Sequence, residues 1–159
     1  MGKKKTFKAL LLIGAVAILI ASAVIVYLFN KPQRDVQSSE IDYRISASDL
    51  VAEYLKDPAT ANKKYLDDEG NSKIIAVTGT VKSLEKDLNN QWVVLLKKEG
   101  DKAGVNCTFT SATNHSAEKL LTGQVITIKG VIRAGAGHDS DLDLFEDVII
   151  EKSDVINEN

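Results

Sequence analysis

The chain has 159 residues, 44% of them hydrophobic, one cysteine and a formal net charge of −2. That length fits one domain plus an appendage, and the lone Cys107 excludes an internal disulfide framework. All 22 acids but only 16 of the 20 bases lie beyond residue 29, so the larger part carries about −6, which disfavours a nucleic-acid binder with its usual basic face.

Lys3, Lys4, Lys5 and Lys8 open the chain without an acid among them. Ala9 to Phe29 follows without a charge, and at 1.5 Å per residue it makes a helix of about 30 Å, the thickness of a bilayer's hydrocarbon core. The lysines place residues 1–8 in the cytoplasm, residues 9–29 across the membrane and the remainder on the outer side. Tyr27 and Phe29 stand where aromatic interface anchors belong. A cleaved signal peptide is the rival reading, since Ala21-Ser22-Ala23 imitates a cleavage site. Cleavage there would leave Val24 to Phe29 as an exposed apolar terminus, which favours an uncleaved anchor. The first residues also fit a myristoylation pattern, which the adjacent span makes redundant.

Residues 30–45 read as an extended polar linker, with mixed charge and no apolar period. A helical segment is expected over 46–68. Ser46 is its N-cap, with Asp49 three residues on, and Leu50, Val51, Tyr54 and Leu55 form one apolar stripe. Asp57-Pro58 starts a second helix running to Leu66, with Asp as N-cap and Pro at the first helical position. Asp67 to Ser72 is a turn.

From Lys73 the apolar period changes to two. Ile75, Val77, Gly79 and Val81 line one face of a long first strand, with a bulge or bend expected at Gly79. Asp87 to Asn90 turns the chain into a second strand, Gln91 to Lys98, with Trp92, Val94 and Leu96 on one face. A third strand, Ala103 to Thr110, aligns Val105, Cys107 and Phe109. Asn114 to Leu121 breaks the alternation as a short helix, with Gly123 as its C-cap. Gln124 to Arg133 is a fourth strand with Ile126, Ile128, Gly130 and Ile132 inward. Ala134 to Asp141 is a Gly-rich loop, Leu142 to Lys152 a fifth strand, and residues 153–159 a polar tail. Strand, strand, strand, helix, strand, strand is the order of an OB-fold, a five-stranded Greek-key barrel, here over residues 73–152. The expected class is therefore mainly β, with a preceding α-helical segment and an N-terminal transmembrane helix.

Several stretches carry a resemblance. They are Ala61 to Leu66, Ile75 to Val81, Val105 to Phe109, Leu121 to Gln124, Ile126 to Gly130 and Leu144 to Ile150. Together they resemble the bacterial tRNA_anti-like OB-fold family over roughly residues 47 to 152. The resemblance implies an OB barrel in a small envelope protein with a lipid or helical anchor. It brings no catalytic motif, because the matching residues are core apolars and turn glycines.

Three features bear on chemistry. A nucleic-acid role needs aromatic platforms on strands two and three and cations along a groove. Trp92 and Phe109 alternate in phase with aliphatics and read as core, while Lys97, Lys98, Lys102, Lys129 and Arg133 read as solvated strand faces. The loop between strands four and five holds His138, Asp139, Asp141 and Asp143, and OB-folds bind ligands there. His138, Asp139 and Asp141 are the candidate ligand-binding residues. The alternating acids imitate the start of a calcium loop, but Leu144 and Ile150 occupy the places of its glycine and glutamate, so no metal or cofactor is expected. Cys107, mid-strand on an apolar face, reads as an inert thiol, and no enzyme is expected. The expectation is a membrane-anchored, extracytoplasmic OB-fold interaction module in a bacterial inner membrane. Its partner would be an envelope protein, a peptide or a glycan; the alternative is a single-stranded nucleic-acid binder.

Overall fold

The computed structural model describes residues 3–29, 35–68 and 70–156. Expectations placed on residues 1–2, 30–34, 69 and 157–159 lie outside the described residues. The chain divides into two compact units, Met1–Arg34 and Asp35–Asn159. In the first, helix α1 runs Lys3–Phe29. Among the described residues no helix is long and apolar enough to cross a membrane.

The second unit is mainly β, a closed five-strand barrel preceded by an α segment. Helix α2, Ala47–Lys56, starts where Ser46 accepts a hydrogen bond from the Asp49 amide at 3.1 Å. The Ser46 hydroxyl donates in turn to the Asp49 carboxylate at 2.6 Å, closing a reciprocal cap of the first turn. Ser46→Ala is expected to cost about 1 kcal/mol, read as a lower thermal midpoint, with Ser46→Asp largely restoring it. Helix α3, Pro58–Tyr65, is capped by Asp57, whose carboxylate accepts from the Thr60 amide at 3.1 Å and the Thr60 hydroxyl at 2.7 Å. Leu50, Val51, Tyr54, Ala61 and Tyr65 bury the inner faces of both helices.

The barrel strands are β2 (Ile74–Lys86), β3 (Trp92–Leu96), β4 (Val105–Phe109), β5 (Val125–Ala134) and β8 (Val148–Ile156). They close in the order β2-β3-β4-β8-β5 and back to β2, with β4 and β8 parallel and the other barrel pairs antiparallel. That is the expected OB topology. One turn of helix, α4 (Asn114–Ala117), lies between β4 and β5. Strand β2 serves both halves of the barrel, pairing Ile74–Thr80 with β5 and Val81–Lys86 with β3. The bulge expected at Gly79 falls instead between Val81 and Ser83. Gly79 has a different role: a Cβ there would come within 3.0 Å of Ala47 Cβ and Leu96 Cβ, so it admits the start of α2 against β3.

The linker expected over 30–45 is, from Asp35, part of the folded unit. Val36 packs with Ile74 and Val131 in a small outer cluster. The buried Lys129 ammonium donates to the carbonyls of Gln37 and Ser39. Asp42 accepts from the Ile74 amide at 2.8 Å and donates its own amide to the Ile74 carbonyl at 2.8 Å. Strand β1, Tyr43–Ser46, then pairs parallel with β2. These residues dock through their carbonyls, the Asp42 carboxylate and two aliphatic side chains, Val36 and Ile45, so their largely polar composition gives little sign of it.

Two further expectations are corrected at the end of the barrel. The fifth strand, expected over 142–152, is two elements. Residues 137–139 (β6) and 144–146 (β7) form a separate hairpin, and β8 begins at Val148. The polar tail expected from 153 is strand to Ile156, with Ser153 fully buried. An extra residue in β8 explains this: Glu151 and Asp154 face Val131 and Lys129, and Lys152 between them has φ 52°. The bulge reverses the alternation, so Ser153 and Val155 turn toward the barrel.

Candidate ligand-binding site

The outer surface of β3 and β4 is the barrel's open sheet. Its register sets Val93 opposite Thr108 and Leu95 opposite Asn106, with Ser83 and Glu85 beside them on β2. Glu85 is exposed and the others are partly so. The alternate residues Val94, Leu96, Val105, Cys107 and Phe109 are buried. At one end, the Asp87 carboxylate accepts from the amides of Asn89 and Gln91, and Asn114 accepts from the Trp92 amide at 2.9 Å. Leu88 projects fully into solvent there.

The β6–β7 hairpin borders the other end. Asp147 ties its base to β4, accepting from the Gly104 amide at 2.6 Å and the Asn106 side-chain amide at 2.9 Å. His138 stacks on Phe145 with ring centroids 4.2 Å apart, and the Lys102 ammonium lies 5.1 Å from the Phe145 centroid. Sequence reasoning read Lys102 as a solvated strand face and gave Phe145 no part in a site, because a single strand over 142–152 leaves no hairpin partner for His138.

The three residues expected to bind a ligand share this hairpin but do not converge. His138 Nε2 lies 3.1 Å from Asp143 Oδ1. The Asp139 carboxylate accepts from the amides of Asp141 and Leu142 at 2.9 and 3.1 Å, holding the turn. Asp141 is exposed. Among the described residues no group of three His, Cys, Asp or Glu could hold a metal ion.

The features considered for nucleic acid are dispersed. Phe109 is 1% exposed and therefore core. Trp92 is partly buried against the core, with the Lys86 ammonium 4.9 Å from its centroid. Lys97 donates to the Lys102 carbonyl at 3.1 Å, Arg133 pairs with Glu151 at 2.9 Å, and Lys129 is buried under residues 37–39. Burial raises the Cys107 thiol far above its ordinary value, which keeps it protonated and inert.

A polar cluster lies on the α2–α3 side. Glu53 accepts from Lys64 at 2.9 and 3.1 Å and from the Tyr65 hydroxyl at 2.9 Å. Lys64 also lies 4.7 and 5.2 Å from the Tyr65 and Tyr43 ring centroids. The Lys64 hydrogen bond holds the Glu53 carboxyl below its ordinary 4.5. A depressed carboxyl stabilises the fold above its unfolded pKa, and that contribution is lost as pH falls through the folded value. Melting curves taken downward from pH 6 should therefore lose more stability in wild type than in Glu53→Gln. Parallel curves would remove Glu53 from the acid response.

The tRNA_anti-like family model matches residues 1–141. No curated protein matches the chain's sequence. Among solved structures, a candidate nucleic acid-binding lipoprotein from Klebsiella pneumoniae subsp. pneumoniae MGH 78578 is similar at 20% identity and TM-score 0.51, over 80% of this chain and 100% of that one. Entamoeba histolytica asparaginyl-tRNA synthetase is similar at 18% identity and TM-score 0.37, over 55% of this chain and 21% of its own.

Proposed function

We propose, from the premise that this chain belongs to the tRNA_anti-like family, that it is a membrane-anchored binding module without catalytic activity. Its ligand would lie across the outer surface of β3 and β4 and against the β6–β7 hairpin. One observation carries this reading. The surface is formed by the uncharged Val93, Leu95, Asn106 and Thr108 beside a hairpin whose fully charged side chains are acids, with Lys97 bonded to the Lys102 carbonyl and Lys102 over the Phe145 ring. Such a surface suits a protein segment, a peptide or a glycan better than a polyanion.

The anchor in this reading rests on the sequence: the uncharged run from Ala9 to Phe29 would span about 30 Å as a helix. The N-terminal lysines support an inside N-terminus and a domain on the outer side of a bacterial inner membrane. Full-length protein should stay in the membrane pellet after alkaline carbonate, and protease added outside spheroplasts should remove the domain. Release by carbonate would overturn the anchor, and a protected domain the orientation.

The ligand reading is tested by placing a photo-crosslinking residue at Thr108 in the full chain in its native membrane and identifying the adducts. Adducts with one recurrent envelope component are expected, and none at a control position such as Lys56. Equal labelling at both positions would overturn it. A second reading, single-stranded nucleic-acid binding, draws on the description of the Klebsiella neighbour. It requires salt-dependent retention of an oligonucleotide by the full chain in detergent; no retention at low salt removes it.

A further inference from the structure

Two adjoining depressions share Thr78 and Val125 in their walls and take no part in the β3–β4 surface. The larger, of about 420 Å³, lies where two strands use one edge of β2 in turn. β1 pairs there as far as Ser46 opposite Thr78, and β3 pairs from Val81 opposite Leu96 onward. Gly79 and Thr80 sit at the changeover. The Thr80 carbonyl accepts from the Lys97 amide at 2.9 Å, while Val81 bonds Gln124 and Gly123 on the β5 side. Thr78, Gly79 and Thr80 line the depression between the start of α2 and the end of β3.

Its two sides are fastened together. The Asp101 carboxylate accepts from the Ser48 hydroxyl at 2.8 Å and from the Lys98 amide at 3.1 Å, tying the β3–β4 turn to the first turn of α2. Asp49, next to Ser48, and Lys98 both line the depression, so it carries one charge of each sign. Among the described residues these charges do not neutralise each other. The Lys98 ammonium has no partner, and Asp49 gives one carboxylate oxygen to the Ser46 hydroxyl and keeps the other open. The Thr80 hydroxyl is also uncommitted among the described residues. The smaller depression, of about 290 Å³, adds an apolar wall of Leu120, Ile126, Val155 and Ile156. A few fixed polar groups beside apolar walls, in a volume of this order, are the usual makeup of a small-molecule site. A purely anionic ligand would be repelled by Asp49 and a purely cationic one by Lys98. A dipolar ligand satisfies both.

We infer that the paired depressions bind a short peptide whose two termini are free. Its ammonium lies against Asp49 and its carboxylate against Lys98. The Thr80 hydroxyl serves the peptide group, and an apolar side chain rests on Leu120 and Val155. The tie through Asp101 keeps the two charged residues in place before the ligand arrives, which lowers the ordering cost of binding. This is a second site, separate from the β3–β4 surface.

Calorimetric titration of the full chain in detergent with the dipeptide alanyl-leucine tests this. N-acetyl-alanyl-leucine lacks the ammonium and alanyl-leucinamide lacks the carboxylate. Each should bind at least about tenfold more weakly, the usual loss when one charged hydrogen bond is removed. Lys98→Met should weaken alanyl-leucine by a similar factor and make it no better than its amide. Asp49→Asn, which keeps an oxygen for Ser46, should make it no better than its acetyl form. Lys98 is exposed, so the melting midpoint of Lys98→Met should match wild type and the loss cannot come from unfolding. No heat at millimolar alanyl-leucine overturns the inference. Binding that ignores the blocked termini, or that both substitutions leave unchanged, reports apolar adsorption and overturns it too. Crosslinking at Thr108 reads a different surface, so either result stands without the other.

Discussion

Gly135→Val is expected to cost at least about 3 kcal/mol and to lower the melting midpoint by roughly 10 °C. Gly135 follows the end of β5 and leads into the hairpin through Ala136, which is 4% exposed. A Cβ at residue 135 would fall within the ring of Tyr54. Tyr54 is 1% exposed and cannot swing outward, and its ring lies 5.9 Å from that of Tyr65. Either the α2 face or the β5–β6 connection must give way, so the hairpin should loosen with the fold. Thermal unfolding of the full chain, followed by circular dichroism, reads the first effect, and protease cleavage near Asp141 the second. A companion variant separates crowding from general damage. Among the described residues the Tyr54 hydroxyl is buried without a partner, and burial pushes its pKa up to about 12. Tyr54→Phe should therefore leave stability unchanged or raise it. Tyr54→Leu should recover part of the Gly135→Val loss. A Gly135→Val protein that melts like wild type would show that this packing is wrong.

Phe109→Ala is expected to cost roughly 3–5 kcal/mol, the usual range for emptying a fully buried phenylalanine site. Phe109 ends β4 opposite Ser153 of β8, with its side chain in the main core. The variant also decides what the residue is for. A stacking platform would lose ligand on truncation and keep its melting point; a core residue loses the melting point first. Val93→Ala, on the open face of β3, should cost under about 1 kcal/mol and change only what the surface binds. If Phe109→Ala melts normally while Val93→Ala does not, inner and outer faces have been exchanged.

Strands and helices were legible where local chemistry and burial agree. Ser46 with Asp49, and Asp57 with Pro58, announce two helix starts because capping is a short-range hydrogen-bond requirement. Val105, Cys107 and Phe109 announce a face because the strand period is two. The candidate site was legible only as a loop. Its acids were visible, but Asp139 bonds its own turn and His138 stacks on a residue assigned to another strand. The cationic residues looked available in the sequence; Lys129 became a buried clamp because two carbonyls of residues 37–39 pass over it.

By itself, the sequence determined the apolar run of 9–29, the helical segment, the strand order and hence the closed barrel, because periodicity, caps and turns act within a few residues. Only the tertiary structure decided that residues 35–46 pack against that barrel, that β8 turns inward beyond Lys152, and that residues 137–146 form a hairpin. Each of these rests on groups far apart in the chain: Lys129 with Gln37, Ser153 with Phe109, Asp147 with Asn106. A polar residue's partner is set by where the backbone brings it, and no local pattern carries that.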